Sequence, residues 1–199
     1  MKFYLLKGAI LLSSLFFFTN SQAQYGIEVN YGLNGVFQPS INNLSHIGAG
    51  ITYDFDESYG LKLDFASDKF RSDILELNEE TGVDITRISI QGTANISTLI
   101  TRASSHDFFN LIAHGGAGYS LVKSSIGGGN DNLVNVIGGI SPRFRISDGL
   151  FFAIDTSVIF NISQHYNFDG TLAYTDAVNS FTGITYNVTA GIIYKFNEL

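Results

Sequence analysis

The 199-residue chain contains no cysteine and no tryptophan, and only two prolines. The absence of cysteine excludes disulfide bonds and thiolate metal sites. The chain has one apolar run, near the N-terminus, and no other segment is apolar enough for a membrane-spanning helix. Basic residues are also in the minority, with 11 Lys and Arg against 18 Asp and Glu. This balance argues against nucleic-acid binding through a basic patch.

The N-terminus has the pattern of a cleaved secretory signal peptide. Lys2 and Lys7 precede an apolar run over residues 9–18, and the tripeptide SQA that ends at Ala23 matches the small-x-small rule for cleavage. A retained membrane helix would need about 17–25 apolar residues, which is more than this run supplies. We therefore expect residues 1–23 to be removed, and the net charge of the remainder to change from −7 to −9 with the loss of the two lysines.

The rest of the chain alternates apolar and polar residues with a period of two, which is the pattern of a β-strand with one apolar face. In the segment YGIEVNYGL, residues 25–33, an apolar or aromatic residue occupies every second position. Eight such segments occur, and bacterial membrane barrels have an even number of strands. They begin near Tyr25, Ser45, Tyr59, Arg87, Phe109, Val134, Phe152 and Gly183. The connections after the second and sixth segments are tight turns, whereas those after the odd-numbered segments are long, as in membrane barrels.

The apolar face of these strands has two possible environments, the core of a soluble sandwich or the lipid around a barrel. The polar face consists mainly of Gly, Ser, Thr and Asn, which suit the narrow interior of an eight-stranded barrel better than a soluble core. Aromatic residues of the apolar face gather near the short turns, as rings do at a membrane interface. These are Tyr25, Tyr53, Phe55, Tyr59, Phe109, Phe144, Phe152, Tyr194 and Phe196. We therefore predict that residues 24–199 form an all-β, eight-stranded, antiparallel up-and-down transmembrane β-barrel with its apolar face toward lipid.

Three segments and one proline depart from this simple pattern. Residues 67–82 are too charged for a bilayer and, like residues 163–180, are interpreted as long acidic external loops that carry aromatic residues such as Phe70 and Phe168. The connection after the fourth strand, STLITRASSHD, is longer than a periplasmic turn needs. Pro142 removes a ladder hydrogen bond from the sixth strand, so we expect it near the periplasmic rim.

Five charged residues fall at similar depth on the polar face when positions are counted inward from the short turns. They are Glu28, Lys62, Asp64, Arg143 and Asp155. Arg143 and Asp155 are expected to lie opposite each other across the turn at Asp148, with His114 and Gln91 near the same level. An isolated buried charge is costly, so these residues should pair. The pairs would form either a static plug that fixes the shape of the barrel or a gate that admits water and small ions.

Four short motifs add a family resemblance: the leader end at Gln22-Ala23-Gln24, FNLIAHGGAGYS, QHYNFDG in the last long loop, and the closing GIIYKF. With them, the mature chain resembles the eight-stranded transmembrane domain of the OmpA-like outer-membrane proteins, in the version common in Bacteroidetes. The resemblance implies interior acid–base pairs, which correspond here to the five lumen residues. Many members also carry a C-terminal peptidoglycan-binding domain. Because this chain ends at Leu199, we expect no such domain and no anchoring to the cell wall.

These features favour a structural barrel in the bacterial outer membrane that passes small ions or solutes weakly at most. The alternative is an adhesion or partner-binding module that uses the long external loops. A lipid A-modifying enzyme is a third hypothesis, because Ser45, His46 and His165 could lie near the outer rim. No acid–base–nucleophile spacing stands out, and IGGGND lacks the lysine and the helix of a phosphate loop. His46, His114 and His165 also lack a metal-ligand arrangement, so we expect no enzyme activity, cofactor or metal.

The expected partners follow from this interpretation. They are outer-membrane lipid and, during biogenesis, the barrel-assembly machinery, for which the aromatic-rich end YKF at residues 194–196 is a recognition signal. An extracellular partner at the loops belongs to the alternative function. We expect a monomer.

Overall fold

The structure, a computed structural model, contains eight antiparallel strands that close into a barrel in the order of the chain. It describes residues 24–37, 40–74, 79–102, 104–105, 107–126, 129–162, 164–173 and 181–196. The strands are β1 (Gln24–Val36), β2 (Ile41–Asp54), β3 (Tyr59–Ile74), β4 (Glu79–Asn95), β5 (Phe109–Ser124), β6 (Asn130–Ser147), β7 (Leu150–Ile162) and β8 (Phe181–Phe196). One short helix, α1 (Ile96–Thr101), follows β4. The predicted signal peptide, residues 1–23, lies outside the described residues.

The barrel closes because β8 pairs with β1 along nearly the whole of β1. The register runs from Tyr25 opposite Phe196 to Val36 opposite Thr185. Closure removes the open sheet edge, whose unpaired backbone groups would each cost several kcal/mol in hydrocarbon. The prediction of an eight-stranded, antiparallel up-and-down β-barrel is therefore confirmed. Within the described residues, no helix has the length and apolarity of a membrane span.

The strands turn their apolar side chains outward and their polar side chains inward. On β4, for example, Ile88 and Ile90 are exposed, whereas Ser89 and Gln91 are buried. Successive side chains of a strand point to opposite faces, so this one assignment fixes the orientation of the whole strand. An apolar exterior of this kind is stable in lipid and unstable in water. The predicted orientation is confirmed.

We call the end of the barrel that carries the long connections the long-loop end. There, the strands extend further than predicted. The interpretation of residues 67–74 and 79–82 as loop is wrong, because β3 continues to Ile74 and pairs with β4 up to Glu79; residues 75–78 lie outside the described residues. Asp68 is 1% exposed, so its charge lies inside the barrel and is no obstacle to strand pairing. Charge density along the sequence indicates a loop only when the charges point outward.

The aromatic residues predicted to form a girdle do lie at the short-turn end, where the turns after β2 and β6 are found. The rings of Tyr25 and Tyr53 are 4.9 Å apart between centroids. On the neighbouring strands β5, β6 and β7, the Phe144 ring lies 5.4 Å from the Phe109 ring and 6.5 Å from the Phe152 ring. Neighbouring strands thus present their rings at one level, as a membrane interface requires.

Pro142 interrupts the ladder between β6 and β7 without changing its register. Ile140 pairs with Thr156 and Arg143 pairs with Ala153, and neither residue between them is paired on that side. On its other side Pro142 lies opposite Leu111 of β5, which is two residues from the start of that strand. Proline lacks the N–H that the β7 side would need, so the gap is local.

The barrel lumen as candidate functional site

A buried cluster of ion pairs occupies the middle of the lumen. Lys62 Nζ contacts Glu28 Oε1 and lies 3.2 Å from Asp64 Oδ1. Arg143 Nη2 lies 4.0 Å from Glu28 Oε2 on the other side. We call these four residues the mid-barrel cluster, and all four side chains are buried. They come from β1, β3 and β6 because the period of two places each of them on the inward face.

The fifth predicted lumen residue, Asp155, belongs to a neighbouring group. The expectation that it faces Arg143 is wrong, because the β6–β7 register places Ala153 opposite Arg143. Asp155 Oδ2 instead lies 3.0 Å from His114 Nε2, and the Ser157 hydroxyl donates to Asp155 Oδ1 at 2.5 Å. His114 Nδ1 lies 2.7 Å from Gln91 Oε1, so the two residues expected at this level are present.

A second charged group lies further toward the long-loop end. That its members lie together was not predicted from the sequence. His46 Nδ1 lies 2.7 Å from Asp68 Oδ1, and Arg87 Nη1 lies 3.4 Å from Asp68 Oδ2. Asn30 Oδ1 is 3.0 Å from His46 Nε2. We call His46, Asp68 and Arg87 the upper cluster. Continuing the alternation of β3 past Ala66 would have placed Asp68 on the same inward face as Lys62 and Asp64.

The mouth of the barrel at the long-loop end is filled by apolar side chains. The rings of Phe70 and Phe168 lie 5.2 Å apart, and both side chains are buried. They pack in one cluster with Val36, Ile41, Val83, Ile85, Val122 and Leu133. The interpretation of Phe70 as a loop residue is wrong, because Phe70 lies on β3 and points into the lumen. Phe168 does lie in the connection between β7 and β8, but its ring is buried in the mouth and not exposed. The sequence signal was an apolar inward position near the ends of β3, β4, β5 and β6.

Phe168 reaches the mouth because residues 164–173, which we call the mouth segment, fold back over it. Asp131 accepts a hydrogen bond from the backbone N–H of His165 at 2.5 Å, and its other oxygen lies 2.8 Å from His165 Nδ1. The Ser124 hydroxyl donates to the carbonyl of Gly170 at 2.7 Å. These contacts hold the segment at two points, one on each side of the phenyl ring in sequence.

The short-turn end of the lumen is also occupied. Lys195 Nζ lies 2.9 Å from Asp54 Oδ2 and 5.5 Å from the centre of the Phe151 ring. Phe151, Ala153 and Ile193 form a small buried apolar cluster there. A cavity of about 20 Å³ lies beside Glu28 and borders Ala153 and Ile193 of this layer; it has room for roughly one water molecule. Its polar lining includes Glu28, Asn30, Ser141, Asp155 and Thr189.

The arrangement is that of paired charges and hydrogen-bonded amides. Among the described residues, no group of three or more His, Asp or Glu side chains is placed to hold a metal ion. The Ser45 hydroxyl donates to Asn34 and to the Lys69 carbonyl, while His46 is buried in the upper cluster and His165 is held by Asp131. The expectation that His46 lies at the outer rim is therefore wrong.

Comparison with known proteins places this fold among outer-membrane barrels. No family model and no curated protein matches the chain. Among solved structures, Neisserial surface protein A is similar with a TM-score of 0.58 at 8% identity, over 87% of this chain and 97% of that one. A major outer membrane protein from Thermus thermophilus is similar with a TM-score of 0.56 at 12% identity, over 87% and 99%.

A third similar structure is Ail, the attachment invasion locus protein of Yersinia pestis, in complex with the heparin analogue sucrose octasulfate. Its TM-score is 0.50 at 14% identity, over 88% of this chain and 99% of that one. At these identities the likeness concerns the fold alone. The closed barrel, its apolar exterior and its polar interior define the class of protein, an eight-stranded β-barrel of the bacterial outer-membrane type.

Proposed function

We propose that the protein is an integral barrel of the bacterial outer membrane with a structural role, through which small ions or solutes pass weakly at most. The observation that supports the proposal is that, among the described residues, buried side chains lie in the lumen at mid-barrel and toward both ends. Paired charges lie at mid-barrel, the upper cluster lies beyond them, and apolar layers lie at both ends. An eight-stranded barrel is just wide enough for side chains to fill.

The pairing of the lumen charges favours a static plug over a gate. A conducting gate needs pairs that exchange partners at low cost, so that water and ions can follow. Here Lys62 is held between two carboxylates, and Glu28 is shared between two cations. Displacing Lys62 leaves Asp64 without its cation, and displacing Glu28 leaves Arg143 without its carboxylate; an uncompensated buried charge is strongly unfavourable.

We infer that residues 1–23 direct export and are removed, that the barrel-assembly machinery inserts residues 24–199, and that the protein is a monomer without enzyme activity or cofactor. We also propose that the chain is an OmpA-like protein of the Bacteroidetes type. The eight strands and the interior acid–base pairs of the mid-barrel cluster support this assignment.

Planar-bilayer conductance tests the static plug. The variants Arg143→Ala and Asp155→Ala each remove one partner of a lumen pair, and Ile154→Ala, an outward neighbour on β7, is the matched control. We expect the native protein and all three variants to give the same small, infrequent openings. A step change in conductance in Arg143→Ala or Asp155→Ala, but not in Ile154→Ala, would establish a gate. A large steady conductance of the native protein would refute a structural barrel.

A partner-binding role at the long-loop end is the second candidate. The observation that favours it is a set of exposed apolar side chains there, namely Phe37, Leu44, Ile126 and Leu172. Adhesion of cells that display the native barrel or a Phe37→Ser, Leu172→Ser variant tests it. Equal adhesion of the two kinds of cell would rule out this candidate.

The less favoured hypothesis, a lipid A-modifying enzyme, is tested by mass spectrometry of lipid A from a deletion strain.

A further inference from the structure

The connection after β4 contains an unusually exposed apolar patch. In helix α1, Leu99 is 45% exposed and Ile100 is 76% exposed, and Phe108 before β5 is 69% exposed. We call these three residues the link patch. It lies at the short-turn end, because the backbone N–H of Asn95 donates to the carbonyl of Ser58 in the turn after β2 at 2.7 Å. A periplasmic connection surrounded by water has no reason to expose such side chains together.

Helix α1 continues the wall of the barrel where β4 ends. The β4–β5 ladder stops at Asn95 opposite Ile112, and the next β5 amide, that of Leu111, donates to the Ser97 hydroxyl of the helix at 3.0 Å. The helix therefore takes the place beside β5 that β4 vacates. Leu111 points outward on β5 but is only half exposed.

Polar contacts on the barrel side fix the orientation of the link. Asn95 caps the helix by accepting from the Thr98 amide at 3.3 Å, and its side-chain amide donates to Asn110 Oδ1 in the lumen at 2.8 Å. After the helix, the carbonyl of Phe108 accepts from the Arg145 amide at 2.8 Å. Because these contacts use the barrel side, Leu99, Ile100 and Phe108 remain on the other side.

The link patch is continuous with the aromatic girdle. The Phe108 ring lies 6.0 Å from the Phe144 ring, which in turn lies beside Phe109 and Phe152. The patch therefore extends the lipid-facing surface of β5, β6 and β7 along one side of the barrel. Arg102, which ends the helix, is exposed and supplies a cation near this patch. A short element with apolar side chains beside a cation suits the interface between acyl chains and phosphate headgroups.

We propose that the link patch is an interfacial anchor that inserts Leu99, Ile100 and Phe108 into the headgroup region of the phospholipid leaflet at the short-turn end. This inference rests on the proposed membrane location of the barrel. The anchor fixes how deep one side of the barrel sits, because an apolar surface resists transfer to water. The other connections at this end are tight turns: the turn after β2 adds one girdle residue, Phe55, to the polar Asp56-Glu57-Ser58, and the turn after β6 is Asp148-Gly149.

The absence of tryptophan from the chain makes the test direct, since a single introduced tryptophan is the only indole emitter. The variant Ile100→Trp reports on the link patch. Ile90→Trp on the outward face of β4 is the lipid-exposed control, and Glu57→Trp in a short turn is the water-exposed control. Each is folded into phosphatidylcholine vesicles that carry bromine at defined acyl depths, and folding is checked by the gel shift on heating.

We expect Ile100→Trp to emit at shorter wavelength than Glu57→Trp and to be quenched more by shallow bromines than by deep ones. We expect Ile90→Trp to be quenched by deep bromines. If Ile100→Trp does not fold, the conservative variant Phe108→Trp carries the same expectation.

The outcomes separate the anchor from the membrane barrel itself. Emission and quenching of Ile100→Trp equal to those of Glu57→Trp, with Ile90→Trp quenched, would overturn the anchor and leave the barrel in the membrane. A blue-shifted Ile100→Trp that bromine does not quench would also overturn it, because the patch would then be covered by a second copy or another protein. Failure of Ile90→Trp to be quenched at any depth would overturn the proposed function as well.

Discussion

Replacing Lys62 with methionine tests whether the charges of the mid-barrel cluster stabilise the barrel as pairs. Methionine keeps most of the length of the side chain and removes the ammonium group that Glu28 and Asp64 share. The change leaves two buried carboxylates with one cation, Arg143, which lies 4.0 Å from Glu28. The variant therefore isolates the electrostatic contribution of one lysine while keeping the packing of the lumen nearly intact.

The expected cost follows from burial and from the partner that remains. Removing one member of a buried ion pair costs about 3–5 kcal/mol, because the other charge is left uncompensated. Arg143 still serves Glu28, so the loss for Lys62→Met should be near the lower end, about 3 kcal/mol. A free energy of that size lowers the folding equilibrium constant by about 100-fold.

The double variant Lys62→Met, Asp64→Asn makes the prediction sharper. It removes one cation and one anion together, and leaves Glu28 with Arg143 as a single pair. Because neutralising both partners is far less costly than removing one, the double variant should be more stable than Lys62→Met alone. This sign is opposite to that expected from two independent destabilising changes, which would add.

Denaturant titration of the barrel refolded in detergent micelles measures these free energies of unfolding, with far-UV circular dichroism and the heat-dependent gel shift as readouts. Leu63→Met, which changes the outward neighbour on β3, is the matched control and should cost little. A loss of less than about 1 kcal/mol in Lys62→Met, the range of a solvated surface pair, would refute stabilisation by the paired mid-barrel charges. A further loss of stability on adding Asp64→Asn would refute it as well.

Three further changes test other parts of the barrel. Asp68→Asn leaves His46 and Arg87 without a carboxylate at a site that is only 1% exposed. In the same titration it should lower the free energy of unfolding by about 3 kcal/mol. An unchanged midpoint would mean that the upper cluster does not stabilise the fold. Gly170→Ala places a Cβ at a residue with φ of +89°, 2.6 Å from the Gly82 carbonyl oxygen. It should lift the mouth segment and speed its proteolysis with the barrel intact, and native-like protease resistance would argue against the close contact. Ile51→Lys puts a charge on the lipid-facing side of β2 and should lower the free energy of unfolding by about 2–4 kcal/mol, the cost near the bilayer midplane. Glu57→Lys in the short turn is the control and should be neutral. Equal effects of the two changes would contradict the outward orientation of Ile51.

The sequence predicted the features that depend on local periodicity. In a strand the side-chain period is two, so one outward residue fixes the face of every other residue on that strand. For this reason Glu28, Lys62, Asp64, Arg143 and Asp155 were all placed on the polar face, and all five point into the lumen in the structure.

Prediction failed where a residue's environment depends on a distant strand. Residues 67–82 were interpreted as a loop because of their charges, but Asp68 is paired inside the barrel with His46 and Arg87. Phe168 was assigned to an exposed loop, but it packs on Phe70 from a distant part of the chain. A local sequence pattern predicts neither the partner of a buried charge nor the residues against which an apolar ring packs.

The amino-acid sequence by itself determined the strands, the side of each strand that meets lipid, the end at which the aromatic rings gather and the set of residues that face the lumen. Only the tertiary structure decided which of those residues touch. Closing the barrel fixes the stagger of each strand against its neighbours, and that stagger places Asp155 beside His114 and two residues away from the position opposite Arg143. A shift of two residues keeps the same face and changes the partner, which is why the face could be predicted and the pairing could not.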